Sequence, residues 1–153
     1  CRGVIMGYRS RVECRIVGDK EAILDVIAVM RLVEERQDLL TDVLNDCSLV
    51  DYPSSTPGQA LFGWSYEDVK WYSEYDDVQL FTRLWDQFES REHKFSGGFV
   101  RIGEDHEDAE SKYFGNDPYD LVILSRAIDA VSLDGPNLLS SKIELSETTQ
   151  GTT

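Results

Sequence analysis

Near the start of this chain the spacing of apolar residues changes abruptly from a two-residue to a helical repeat, and few architectures accommodate both. From Ser10 to Val17, Val12, Cys14 and Ile16 alternate with Arg11, Glu13 and Arg15, the pattern of a half-buried strand. Gly18-Asp19 then supplies a break and a helix N-cap, since the Asp carboxylate can accept from free N–H groups of a first turn. Ala22, Ile23, Val26, Ile27, Met30 and Val33 recur every three or four residues, which predicts an amphipathic helix over 19–36. A strand running straight into such a helix buries two apolar faces, and stacking one on the other is the simplest way to do so.

The helical spacing resumes at Leu39, Leu40, Val43 and Leu44, as a continuation or as a second piece. DYPSSTPG, residues 51–58, is rich in turn formers and is predicted to be a loop. Phe62, Trp64 and Tyr66 then share one face of a strand over 60–66, with a further aromatic pair, Trp71 and Tyr72, that leaves a hairpin open. Asp76 and Gln79 have the spacing of a capping box, ahead of a helical face through Val78, Phe81, Leu84, Trp85 and Phe88 to about residue 92. Gly97-Gly98 suggests a break, 99–103 a short strand, and 104–111 an acidic loop or single helical turn. The apolar run LVIL within 119–128 predicts a central strand. Beyond Ser132 there is too little apolar surface to offset ordering, so a disordered polar tail is expected over 132–153. The order β-α-β-α-β-β predicts one α+β domain over 6–131, with a mixed, mostly antiparallel sheet and two helices packed on one face.

Charge narrows the function classes. Across 153 residues there are 29 Asp and Glu against 15 Lys and Arg, a net charge of −14. Such a surface repels phosphate backbones and anionic membranes, so neither direct nucleic-acid binding nor membrane adhesion is expected. It does suit a protein that presents DNA-like negative charge to a DNA-binding protein. Cys1, Cys14 and Cys47 have no paired metal spacing, and their odd number argues against a disulfide framework, so a reducing cytoplasm is expected. No apolar stretch has the length of a membrane span or of a signal-peptide core.

Chemistry-bearing motifs are absent. The two histidines, His93 and His106, lie in no nucleophile motif, and the glycines fit neither phosphate-binding fingerprint. His106 in EDHED has oxygen-rich neighbours, but the run lacks calcium-loop spacing and reads as a solvated acidic turn. His93 reads as a cation at the C-terminal end of the second helix. Cys14 reads as a small core residue. No cofactor, metal or catalytic residue is expected. The most suggestive segment is WSYEDVKWYSEY, residues 64–75, where aromatics interleave with charge. Trp64 and Trp71 suit core filling, and Tyr72 and Tyr75 suit a partner-facing role.

Three short stretches occur in order: MGYRS at Met6–Ser10, VKWY at Val69–Tyr72 followed by D-D-V, and FVRIGED at Phe99–Asp105. Together they resemble a family of small uncharacterised bacteriophage and prophage proteins. The resemblance implies a phage product made in the bacterial cytoplasm and brings no catalytic residues. The expectation is therefore an acidic phage protein that binds a host protein, in particular as an anti-defence inhibitor acting by charge mimicry of DNA. The partner-binding candidates are Glu67, Asp68, Tyr72, Tyr75, Asp76, Asp77, Glu104, Asp105, Glu107, Asp108 and Glu110. The rival expectation is a phage assembly protein that forms a homo-oligomer through the aromatic segment.

Overall fold

The computed structural model describes residues 9–53, 56–105, 107–116, 121–124 and 128–139. In chain order the elements are β1 (Ser10–Asp19), α1 (Lys20–Val33), α2 (Gln37–Asn45), β2 (Ser48–Asp51), β3 (Gln59–Val69), α3 (Asp76–Glu89), β4 (Phe95–Gly103), β5 (Ala109–Phe114), β6 (Val122–Leu124) and β7 (Ile128–Ala130). The main sheet has the order β2-β3-β1-β4-β5, every pair antiparallel, and β6 and β7 form a separate two-stranded ladder. This is the α+β class the sequence predicts, with a third helix added. Chain between Val33 and Gln37 leaves the helical path, so the second helical piece is separate. Its turn is held by Glu34, whose carboxylate accepts from the Arg36 backbone N–H at 3.3 Å and from Arg83 Nε on α3 at 2.9 Å.

The two-residue repeat of β1 puts Val12, Cys14 and Ile16 on the helix side, all fully buried. Cys14 lies opposite Trp64 of β3 and Phe99 of β4, so a continuous apolar layer spans three strands. Ile23, Val26, Ile27 and Met30 of α1, Leu40, Val43 and Leu44 of α2, and Phe81, Leu84, Trp85 and Phe88 of α3 close over it. Asp19 caps α1 as expected, accepting from the Ala22 N–H at 3.2 Å. The capping box at Asp76 does not form: Tyr75 is the N-cap and has no side-chain cap bond, and the Gln79 amide donates to the Ser73 carbonyl instead.

The other face of the sheet differs from expectation. Arg11, Glu13 and Arg15 mark a polar face, yet Glu13 and Arg15 are 3% and 4% exposed. The β6–β7 ladder packs on this side, where Leu121, Val122 and Ile128 meet Val50, Leu61 and Val100. Leu121 and Val122 of LVIL are thus buried by lying on a sheet face, not by sitting in the middle of the main sheet; continuous apolarity signals burial and does not say which kind.

Four further boundaries move. Gly97 and Gly98 lie inside β4, and a Cβ on Gly97 would come 2.5 Å from the Phe114 ring of β5. Glycine here permits close approach of two strands where a break was expected. Residues 109–114, partly within the expected acidic loop, are the strand β5, and β2 precedes the 51–58 loop. In the segment expected to begin the tail, Leu139 is 3% exposed in the main core, and the Asn137 side chain bonds to the Leu49 N–H and the Cys47 carbonyl. Residues 140–153 lie outside the described residues.

Candidate interaction surface at one end of the sheet

Strand register decides which candidate residues meet. Ser10, at the start of β1, pairs with Val69 at the end of β3 and with Gly103 at the end of β4. The end of β3 carries Glu67 and Asp68, and the chain beyond it crosses 70–75 with Tyr72 and Tyr75 and enters α3 through Asp76 and Asp77. The chain leaving β4 carries Glu104, Asp105, Glu107 and Asp108 round to β5 and Glu110. Two segments well separated in sequence therefore converge at one end of the sheet, and the eleven candidates lie on them.

Three arginines organise this end. The Arg9 backbone N–H donates to Glu104 at 2.6 Å, while its guanidinium donates to the Asp68 carbonyl at 3.4 Å and lies 3.9 Å from the Asp68 carboxylate. Arg101, one strand over, donates through two nitrogens to both Asp108 oxygens at 2.7 and 3.2 Å, to Glu110 at 3.1 Å and to Ser10 Oγ at 3.1 Å. Asp108 raises the Arg101 pKa above its ordinary value, with Glu110 adding to it against the opposing effect of partial burial, so the guanidinium keeps its charge. Arg36 reaches Asp76 at 3.2 Å from the α1–α2 turn. Asp77 accepts from the Val78 N–H at 2.8 Å, and Asp105 from the Glu107 N–H at 3.0 Å within the turn. Among the described residues, Glu67, Glu74 and Glu107 are exposed and carry no ion pair.

The aromatic segment divides between core and surface. Trp64 is 1% exposed and belongs to the core, and Trp71 packs on it, 5.4 Å from Phe81 and 6.1 Å from Phe99. Tyr72 and Tyr75 stand edge to face, 5.0 Å apart, with Tyr75 39% exposed. Tyr66 is half-buried and donates to Asp46 at 2.5 Å; burial, then this bond, raise its pKa far above the ordinary phenol range.

Beside the tyrosines a cleft of about 480 Å³ opens between α3 and β4–β5, with Trp71, Tyr72, Trp85 and Phe99 in its walls and Asp108, Glu110 and Lys112 on its rim. The Lys112 ammonium sits 5.0 Å from the Phe99 ring centre and 5.2 Å from that of Trp85. Sequence reasoning passed over Arg101, Lys112 and this cleft. Their signal is the strand alternation of Glu110, Lys112 and Phe114, which an acidic-loop reading of 104–111 hides.

The other chemical candidates take ordinary places. Cys14 and Cys47 are buried, and desolvation pushes both thiols up, away from the thiolate form. His93 lies in the exposed turn after α3 rather than in its last turn. His106 and Cys1 lie outside the described residues. Among the described residues no group of three or more His, Cys, Asp or Glu side chains could hold a metal ion, and no helix is long and apolar enough to cross a membrane. No family model, no curated protein and no solved structure matches this chain.

Proposed function

We propose that this chain is an acidic phage-encoded binding protein whose working surface is the end of the sheet built from residues 67–77 and 104–110. The observation that carries the reading is the convergence of two distant acidic segments beside the half-buried Tyr72 and the exposed Tyr75. The arginine pairs fix the backbone there, while Glu67, Glu74 and Glu107 supply charge to a partner. Exposed carboxylates on a fixed scaffold, with large aromatic anchors next to them, suit a basic surface on a host protein. The phage setting rests on the resemblance of the three short motifs. A nucleic-acid-binding or defence protein of the host is the partner class that such a charge pattern favours, through imitation of DNA phosphates.

The test is capture of host proteins by the tagged chain, with and without competing double-stranded DNA, over a range of salt. A triple variant, Glu67→Lys with Glu74→Lys and Glu107→Lys, spares the carboxylates that hold Arg9, Arg36 and Arg101. The reading expects wild type to retain a DNA-binding protein that DNA displaces, with affinity falling steeply as salt rises, and the triple variant to lose it. Retention that ignores salt and DNA, or that survives the triple variant, would contradict it.

A further inference from the structure

The two edges of the main sheet are treated differently. At one edge β2 has four residues, and the Asn137 amide stands where a neighbouring strand would, accepting from the Leu49 N–H at 3.0 Å and donating to the Cys47 carbonyl at 3.3 Å. At the other edge β5 has six residues, of which Ala109, Glu110, Ser111 and Lys112 are exposed. Among the described residues no strand lies beyond Ala109–Lys112, and an open edge of this kind is a template for another chain.

Ladder parity shows what such a chain would meet. The Gly103 N–H donates to the Asp108 carbonyl at 2.7 Å, so Asp108 turns its carbonyl toward β4. In the same register Arg101 faces Glu110 and Phe99 faces Lys112. Antiparallel bonding alternates, so Glu110 and Lys112 spend their backbone groups on β4, and Ser111 turns its N–H and C=O outward. If the incoming strand is another β5, outward residues must meet outward residues, and the twofold axis must pass through a residue. An axis through Glu110 or Lys112 would set like charges face to face. An axis through Ser111 sets each Glu110 opposite Lys112 of the second copy, twice over, at the closer cross-strand spacing.

We propose that two copies of this chain pair antiparallel along β5 about a twofold axis through Ser111, joining two five-stranded sheets into one. Ser111 of each copy exchanges both backbone bonds with Ser111 of the other, and the closed symmetry limits the assembly to a dimer. The proposal rests on different observations from the partner reading above, although Glu110 belongs to both surfaces.

Sedimentation equilibrium at physiological salt, where the repulsion of two acidic copies is screened, tests it. Wild type is expected to rise from 17.4 kDa toward twice that mass with concentration. Ser111→Pro removes an outward N–H and no bond to β4, so it is expected to stay monomeric with an unchanged melting curve. Glu110→Lys and Lys112→Glu each oppose like charges and should weaken pairing roughly tenfold or more. An equimolar mixture of those two variants restores opposite charges at both positions and should associate where neither does alone. Should Ser111→Pro fail to fold, the mixture still decides. Wild type at monomer mass throughout, or a mixture no more associated than its components, would overturn the proposal.

Discussion

Arg15 sits on a strand face that alternation marks as polar, and it is nevertheless buried. Its guanidinium donates to the carbonyls of Val131, Cys14 and Trp64 at 2.6, 2.9 and 3.1 Å, to Glu13 at 3.0 Å and to Ser65 Oγ at 3.0 Å. Ser65 also donates to Glu13, and Arg11 Nε lies 3.2 Å from the second Glu13 oxygen. Burial lowers the Arg15 pKa and Glu13 opposes that effect, and the buried guanidinium is tolerated because all five of its N–H donors are used. Arg15→Met leaves the Glu13 carboxylate buried without its main partner and should cost about 3 kcal/mol in urea unfolding. Glu13→Leu with Arg15→Met should be markedly more stable than that single variant, and a double variant no better would contradict the charge argument. Glu34 gives a pH prediction. The bond from Arg83 holds its carboxyl below the usual range, with burial acting the other way. A depressed folded pKa contributes stability above the unfolded pKa that is lost as pH falls through the folded value. Arg83→Met should therefore flatten the acid limb of stability against pH, measured by thermal melts below neutral pH.

Elements with one clear apolar face were legible from the sequence, because a single buried side leaves its period in the residues. β1, α1, the core of β3 and α3 are such cases, as is Asp19 at the start of α1. Elements set by their neighbours were not. β5 carries Glu110 and Lys112 on a rim open to solvent, so composition marks it as loop while β4 makes it a strand. β6 was legible as a strand in LVIL but not in its place, which like that of β7 depends on the sheet beneath it, and β2 depends on β3 and Asn137. Close packing between elements can be probed directly. Gly97→Ala would force its methyl into the Phe114 ring and should destabilise by about 1–3 kcal/mol, with Phe114→Leu relieving part of the loss. Asn137→Ala strips the Leu49 N–H of its acceptor, which should cost about 1–3 kcal/mol and speed exchange of that amide above its β3-paired neighbours. Slow exchange at Leu49 in the variant would show that Asn137 is not what closes this edge.

For the molecule as a whole, the candidate site was legible as composition and hidden as geometry. The acidic and aromatic residues could be named from the sequence, but only the pairing of Ser10 with both Val69 and Gly103 brings them to one end. Nothing in residue spacing reveals that Arg9, Arg36 and Arg101 hold part of this charge in place. With a net charge of −14, the folded chain repels itself, so moderate salt should raise its melting temperature even as it weakens binding to a basic partner. The central claim is that residues 67–77 and 104–110 act as one binding surface. The most direct measurement is amide chemical-shift mapping by NMR of the labelled chain against whichever host protein the capture test retrieves. The reading expects the largest shifts to fall on both segments together, with α1, α2 and β2 unmoved; shifts centred on α1, α2 or the β6–β7 ladder would contradict it.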